Sequence, residues 1–412
     1  MKNITCALLL CLATVGSALG QAVCEAPEGK LVYKPEKLQG NDFTDPNSQW
    51  SYCRMATTDD IVVFWERGFG DDLSQAPPLE GQPMTVDLDN LLTRLQSFYD
   101  FYRDSLEFIL PGSKAERYRM MVMLQYSLEG TAYGGDYDGQ IGALWVAPNR
   151  LQDERLNCLA HELGHSFQSQ IESDHAGECW GGGGIFEMAS QWMLWQVNPD
   201  WTREENYHWQ AFRSTFSKRF LDMENIYRSP YVLEYWSMRH GRKEIANLFR
   251  QGRRGEDPAQ TYMRVHDLSL SQMNDEMADC YSRLVSFDFP RVKESHRRMA
   301  GELVGAEPMG TWGFNVVELP DDGRQVTFES LTEDPDASFR YQLVALDKEG
   351  NARYLGINSA DKARLKIRRK AGERMYLVVV ACPRTEYKPL PREPFGRHEP
   401  QAQEDYRYKL TY

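Results

Sequence analysis

The residues of this sequence best suited to chemistry are two histidines and a glutamate within one short segment. His161-Glu162-Leu163-Gly164-His165 forms an HExxH pattern. Side chains four residues apart share one face of an α-helix, so both imidazoles can reach one cation. Zinc accepts neutral imidazole nitrogens, and Glu162 lies where it could take a proton from a zinc-bound water. The pattern predicts a hydrolytic Zn2+ centre with His161 and His165 as ligands and Glu162 as catalytic base.

The residues around this pattern fit a helix that packs on one side only. At about 100° per residue, the apolar residues of segment 153–172 gather on the face opposite the histidines: Leu156, Leu159, Ala160, Leu163, Phe167 and Ile171. The helix should therefore pack by this face and present the two histidines to a cleft.

A catalytic zinc site needs a third protein ligand. Glu187 is the preferred candidate, because it stands in the almost wholly apolar segment 185–192, where an unpartnered carboxylate is costly to bury. The preceding glycines, residues 181–184, would let this second helix turn back against the first. A salt bridge to an arginine is the competing explanation for Glu187. Three other candidate ligands remain open: Glu172, His175 and Glu178.

These residues resemble the gluzincin clan of zinc metallopeptidases, in which HExxH is followed by a glutamate ligand in a later helix. Segments 160–168 and 184–192 are closer still to a family of secreted bacterial proteins of unknown function within that clan. The similarity extends to four more segments: 64–66, 142–146, 231–236 and 313–316. It implies a zinc cofactor, a zincin-like fold and an appended β-domain, but no known substrate. Enhancin-like, mucin-degrading peptidases are a second similar group.

The resemblance also implies a second catalytic residue. Gluzincins often place a tyrosine at the start of a helix downstream of the ligand glutamate, and Tyr231 is the residue that fits. Its alternatives are Tyr235, His240 and His208. Position 191 departs from the best-known gluzincins, which carry Asp one turn after the ligand glutamate. Gln191 could still hold a ligand histidine by its outer nitrogen, and Ser190 could serve too.

The hydrophobic pattern predicts an α+β fold in two parts. In residues 21–306, strands at Ile61–Trp65, 118–126 and 142–146 precede mainly helical periodicity, which indicates a zincin-like catalytic domain. The strand at 142–146 is the expected edge strand, where an extended peptide could bind. After Pro308 the period changes to two, which predicts a C-terminal β-sandwich domain over 307–412. Its predicted strands are 326–328, 340–346, 365–367 and 375–380.

The first residues are typical of an export signal. Lys2, an apolar run at 4–15 and Ala18-Leu19-Gly20 predict a cleaved signal peptide over 1–20 and a secreted or periplasmic protein. Val23 before Cys24 argues against lipidation, because a lipobox has Gly or Ala there. No segment provides the ~20 apolar residues of a membrane span. Six cysteines follow the signal, and an even number permits disulfides in an exported protein.

Charge and aromatic content bear on the substrate. The formal net charge is −13, which disfavours a nucleic-acid partner. We expect a peptidase that acts on a protein, peptide or glycoprotein. The alternative is a glycan- or surface-binding protein with a non-catalytic zincin-like domain, since several tryptophans could stack on sugars: Trp145, Trp180, Trp192, Trp195, Trp201, Trp209 and Trp236. The intact Glu162 favours the enzyme.

Overall fold

The structure, a computed structural model, describes residues 23–175, 184–389 and 404–412. The predicted signal peptide, Glu178, Cys179 and Trp180 lie outside these residues. In the described parts of the chain, the secondary structure is a mixture of helices and several β-sheets. This agrees with the α+β class that the sequence predicts.

The first part of the chain forms a mixed five-stranded sheet. Its strands are β1 (Met55–Thr57), β2 (Ile61–Trp65), β3 (Met120–Leu124), β4 (Ala132–Tyr137) and β5 (Ile141–Val146), in the order β1-β2-β3-β5-β4. Strands β2, β3 and β5 are mutually parallel, whereas β1 and β4 pair antiparallel at the two edges. The three parallel strands are buried throughout, which explains their unbroken apolar sequences.

The edge strand next to β5 is β4, so the predicted strand at 142–146 is not an edge strand. That prediction was wrong, because β5 lies between β3 and β4. The segment Ala132–Tyr137 contains two glycines and an aspartate and lacks apolar alternation, so a pattern search passes over it.

Ten α-helices are found in the described residues. They are α1 (Leu88–Asp100), α2 (Asn157–Ser173), α3 (Gly184–Val197), α4 (Trp201–Glu204), α5 (Asn206–Phe212), α6 (Tyr231–His240), α7 (Glu244–Gln251), α8 (Pro258–Val265), α9 (Leu270–Leu284) and α10 (Lys293–His296). Helix α2, which carries the HExxH pattern, packs between the β4–β5 end of the sheet and α3. None of the helices that the structure describes is long and apolar enough to cross a membrane.

The C-terminal part contains two antiparallel sheets. The strands are β6 (Phe314–Glu318), β7 (Gln325–Ser330), β8 (Ala337–Leu346), β9 (Ala352–Asn358), β10 (Lys362–Lys366), β11 (Arg374–Pro383) and β12 (Tyr408–Thr411). They form a four-stranded sheet, β6-β11-β8-β9, and a three-stranded sheet, β10-β7-β12. Apolar side chains from both sheets, such as Phe328 and Phe339, make one shared hydrophobic cluster.

The four-stranded sheet also packs against the helical part of the protein. Along β11, Met375 and Leu377 belong to the cluster shared with the three-stranded sheet, while Tyr376 and Val378 belong to the main core. Helix α9 contacts β8, β9 and β11 on this second face. Because alternate side chains of a strand point to opposite faces, this sheet needs a partner on both sides. The two parts of the chain therefore share one continuous core.

One disulfide, Cys24–Cys53, joins the start of the described chain to the turn before β1. Cys158, Cys280 and Cys382 are free thiols, and the last two are buried. The predicted even set of cysteines thus yields one bond in the described residues.

Candidate metal centre

His161, His165 and Glu187 converge on one point, although Glu187 lies on a different helix. The distances are 3.0 Å from His161 Nε2 to Glu187 Oε2, 3.1 Å from His165 Nε2 to the same oxygen, and 3.1 Å between the two Nε2 atoms. Three zinc ligands in a tetrahedron with bonds of ~2.0–2.1 Å lie roughly 3.3 Å apart. The donor set and its spacing therefore fit zinc. In the described residues, this is the one group of histidines, cysteines and carboxylates close enough to hold a metal ion.

Close backbone packing places helix α2 at this point. A Cβ on Gly134 of the edge strand would lie 1.9 Å from the Glu162 carbonyl oxygen, so β4 can approach α2 only with glycine there. A Cβ on Gly164 would lie 2.9 Å from Ser190 Oγ of α3. Ser166 Oγ donates to the Ala143 carbonyl of β5 at 2.8 Å. Gly134 of β4 and Gly164 of α2 thus allow the sheet edge and α3 to pack closely against α2, which places the metal ligands between them.

Two glutamines orient the histidines. His161 Nδ1 donates to Gln191 Oε1 at 3.1 Å, and His165 Nδ1 donates to Gln168 Oε1 at 3.1 Å. An amide oxygen can only accept, so each imidazole carries its proton on Nδ1 and directs the Nε2 lone pair to the cluster. Gln191 Nε2 in turn donates to the Tyr227 carbonyl at 2.9 Å. Ser190 contacts Gln168 rather than a histidine.

Gln191 is predicted from the sequence as a partner of a ligand histidine, whereas Gln168 is not. Gln168 lies three residues after His165 on the same helix, and that spacing is the signal that could have identified it.

The charge balance of the cluster favours a bound cation. Burial alone would raise the pKa of Glu187, but its hydrogen bonds with His161 and His165 hold that pKa well below its usual range. Burial would lower the pKa of His165, yet the carboxylates of Glu187 and Glu162 raise it. The group therefore stabilises positive charge, whether a proton or a metal ion supplies it.

Glu162 lies beside this group with its carboxylate free to act. The residue is 8% exposed. Among the described residues, no side chain or backbone N–H donates a hydrogen bond to its carboxylate. Its charge contributes to the raised pKa values of both His165 and Tyr227, so it borders the same small volume. It can therefore accept a proton from a water at the cluster.

Tyr231 does not reach the cluster, contrary to the sequence prediction. Its ring packs in the core against Phe212, at 5.0 Å between centroids, and against Trp195 and Trp209. Its hydroxyl is buried without a hydrogen-bond partner among the described residues. Because α6 begins at Tyr231 and packs into the core, that position cannot face the cleft.

The alternatives to Tyr231 also have other partners. Tyr235 donates to Asp279, His240 lies against Tyr262, and His208 pairs with Glu205. The competing ligands Glu172 and His175 are exposed at the end of α2 and lie apart from the cluster.

Tyr227 is the tyrosine that the structure places at the cluster, four residues before the predicted one. Its ring lies 5.9 Å from that of His161, the imidazole that contacts Glu187. Burial, Glu187 and Glu162 raise its pKa, so the phenol stays protonated and can donate. Tyr227 lies in a loop before α6. A rule that looks for a tyrosine at the first residue of a helix therefore does not identify it.

Six of the seven candidate tryptophans lie in the described residues, and these six are buried. Trp192, Trp195, Trp201, Trp209 and Trp236 are completely buried. Trp145 is 7% exposed and is covered by Tyr133, whose ring stacks on it at 4.6 Å. The feature that motivated the glycan-binding alternative is therefore core packing in the described residues.

Comparison with known proteins places the chain in a family. Residues 24–412 match the model of the Family of unknown function (DUF6055). The chain belongs to this family. No curated protein sequence matches it significantly.

Solved structures with partial similarity come from Clostridium perfringens. The ZmpB metallopeptidase has 14% identity and a TM-score of 0.33, with 85% of this chain and 69% of that chain covered. The M60 catalytic domain of ZmpC, in complex with the sialyl T antigen, has 12% identity and a TM-score of 0.34, with 84% and 69% covered. The catalytic module of the metalloprotease ZmpA has 10% identity and a TM-score of 0.31, with 81% and 66% covered.

The outer hydrogen bonds to the histidines should tune metal binding. We expect Gln191→Ala and Gln168→Ala each to weaken zinc affinity by about 10–100-fold, because the histidine loses the acceptor that fixes its tautomer. Zinc titration against a competing chelator measures this. Gln191→Glu keeps an acceptor oxygen for His161 Nδ1 but loses the donor to the Tyr227 carbonyl, so it should retain more affinity than Gln191→Ala. Gln170→Ala is the control, because Gln170 is bonded to Gly142 and Asp174 and not to a ligand. Unchanged affinity in both alanine variants would contradict this role.

Proposed function

We propose that the chain is an exported zinc-dependent peptidase of the gluzincin type, which hydrolyses peptide bonds of a protein or glycoprotein outside the cytoplasm. Zinc would be bound by His161, His165 and Glu187. The observation that carries the proposal is the triangle of three ligand atoms, beside which lies the Glu162 carboxylate, to which no described residue donates a hydrogen bond. In this proposal a signal peptide (1–20) precedes a zincin-like domain (21–306) and a β-sandwich (307–412).

The reaction needs a general base and a way to stabilise the oxyanion. Zinc at this position would supply a Lewis acid that polarises the scissile carbonyl and acidifies a water. Glu162 accepts the proton of the attacking water and passes it to the leaving amine nitrogen. Tyr227 donates a hydrogen bond to the carbonyl oxygen as negative charge develops there. In this scheme Tyr227 is the hydrogen-bond donor to the oxyanion and Glu162 is the proton acceptor.

The edge strand β4 suits an extended substrate. It ends the sheet order, and in the described residues no strand pairs with its outer edge. Gly134 brings its backbone onto Glu162 and His165. A peptide that adds to this edge would run past the catalytic group, with main-chain hydrogen bonds holding it.

A cleavage screen tests the proposal. The secreted chain is incubated with a peptide library and with a set of proteins and glycoproteins, and new termini are identified by mass spectrometry. We expect cleavage that stops after a chelator removes the metal and returns when zinc is added. Zinc-loaded, folded protein that cleaves no member of either set would contradict the proposal.

Two tyrosine variants test the assignment of the oxyanion donor. Tyr227→Phe should lower kcat by about 10²–10³-fold with little change in KM, because the lost hydrogen bond acts mainly in the transition state. Tyr231→Phe is the matched control and should retain activity, since its hydroxyl has no partner among the described residues. Steady-state kinetics on a peptide from the screen measures both. Loss of activity in Tyr231→Phe alone would reverse the assignment.

A further inference from the structure

The three-stranded sheet of the C-terminal part has one face that is built of basic and neutral polar residues. Strand β10 alternates between inward Ala363 and Leu365 and exposed Lys362, Arg364 and Lys366. Strands β7 and β12 alternate in the same way. Their outward residues are Gln325, Thr327 and Glu329 on β7, with Lys409 and Thr411 on β12. Glu329 is the one carboxylate at these strand positions.

The cations on this face form a regular row. The strand pairing continues past β10, because the Ile367 N–H donates to the Arg324 carbonyl at 2.9 Å. Arg368, also exposed, thus follows Lys366 on the same face. Residues two apart on a strand are ~6.6–6.8 Å apart, so Lys362, Arg364, Lys366 and Arg368 make a straight row of four. Lys409 is paired opposite Glu329 on the far strand.

Most of these charges are not neutralised. Lys362 forms an ion pair with Glu329 at 2.8 Å. No ion pair or side-chain hydrogen bond to a described residue is found for the other four cations on this face: Arg364, Lys366, Arg368 and Lys409. The surface stands out against the rest of the protein. Residues 1–307 contain 30 Lys and Arg against 44 Asp and Glu, whereas residues 308–412 contain 17 against 16.

We propose that this basic sheet face, defined by Lys362, Arg364, Lys366, Arg368 and Lys409, binds a linear acidic polysaccharide. A periodic row of cations on a flat surface complements a polymer with regularly spaced carboxylate or sulfate groups. The outward Thr327, Thr411 and Gln325 add hydroxyl and amide groups that can bond to sugar hydroxyls. Binding here would hold the protein on an acidic glycan layer, independently of the peptidase activity.

The same observations disfavour other anionic partners. The outward strand positions carry no aromatic side chain on which bases could stack, and the net charge of −13 repels nucleic acid beyond this face. They also carry no apolar side chain that could insert into a bilayer. Lysines on edge strands can also have a purely protective role, because they prevent edge-to-edge pairing of sheets. Charge reversal distinguishes that role from binding.

Charge reversal tests the proposal on the full secreted chain. Wild-type protein is titrated with heparin and with polygalacturonate at ~0.15 M salt. Arg364→Glu/Lys366→Glu/Arg368→Glu should weaken binding on the order of 100-fold, because each exposed cation near a polyanion contributes roughly fivefold. Lys34→Glu/Arg94→Glu/Arg242→Glu changes the charge equally at exposed positions elsewhere and should bind as the wild type does. Both variants should cleave a short peptide as the wild type does.

Several results would overturn the proposal. They are no binding of either polysaccharide by the wild type, equal loss in both triple variants, or binding of single-stranded DNA or phosphatidylserine vesicles as tight as that of the polysaccharides. Aggregation of the sheet variant with unchanged polysaccharide binding would show that the cations only protect the strand edge. If the wild type and both triple variants fail to cleave the peptide, the proposed peptidase function is contradicted. The polysaccharide-binding result does not depend on that outcome.

Discussion

Glu162→Gln is expected to reduce peptide hydrolysis by at least ~10²–10⁴-fold, the usual contribution of a positioned base, while zinc content stays at the wild-type value. Glutamine keeps the size of the side chain but cannot take the proton of the attacking water. The metal should remain, because Glu162 is not one of the three converging ligand residues. Rate and metal content are measured on the same preparation.

A matched change on the same helix provides the control for this experiment. Glu172→Gln alters an exposed carboxylate of α2 and should leave both rate and zinc content unchanged. If Glu162→Gln hydrolyses peptides at the wild-type rate, the residue is not the base and the peptidase mechanism fails. If that variant instead loses its zinc, Glu162 belongs to the metal site rather than to the proton transfer.

Glu187→Ala should have the largest effect on metal binding. The substitution removes the carboxylate that lies 3.0 and 3.1 Å from the two histidine nitrogens, which leaves two protein ligands instead of three. Zinc affinity should fall by more than the roughly 10–100-fold expected from loss of an outer hydrogen bond. Since a ligand that binds only the folded state stabilises it, added zinc should no longer raise the Tm of this variant.

The control for Glu187 is another buried glutamate that contacts a histidine. Glu244 Oε1 at the start of α7 accepts from Nε2 of His266, the residue after α8, at 2.7 Å, and neither residue belongs to the metal-ligand group. Glu244→Ala should lower the Tm of the protein while leaving the zinc-induced rise in Tm intact. A normal zinc response in Glu187→Ala would mean that the third ligand is another residue, and the gluzincin assignment would fall with it.

The sequence contained enough information to select the residues that converge, because two local rules apply to them. The i,i+4 spacing of His161 and His165 places both on one helix face. Glu187 stands out because a carboxylate in an apolar helix requires a partner, and the structure brings it to the two histidines. Neither rule requires knowledge of the tertiary fold.

The residues that sequence reasoning missed depend on tertiary packing. Tyr227 is in a loop, and the hydrogen bond from Gln191 to its carbonyl is a tertiary contact that holds it beside His161. Tyr231 satisfies the rule of a tyrosine at the start of a helix, but its ring is buried in the hydrophobic core. The edge strand β4 was missed because close contact with α2 selects Gly134 and removes the alternation on which strand prediction depends.

The organisation of the chain was also predictable only in part, because local pattern indicates strands but not what they pack against. The change to a period of two after Pro308 correctly indicates strands, and segments 326–328 and 340–346 lie within β7 and β8. The pattern does not reveal that the four-stranded sheet packs on both faces, which buries every residue of β8 and all residues of β11 except Arg374. The change of pattern near residue 308 therefore does not mark a division of the hydrophobic core, which includes residues from both sides of it.

The most direct test of the account is to locate the metal. Crystals of the zinc-loaded protein are measured at the zinc absorption edge, and an anomalous difference map is calculated. We expect one strong peak per chain, bonded at about 2.0–2.2 Å to Nε2 of His161, Nε2 of His165 and a carboxylate oxygen of Glu187. A map with no peak at these three atoms, or with its strongest peak on other residues, would contradict the proposed zinc centre.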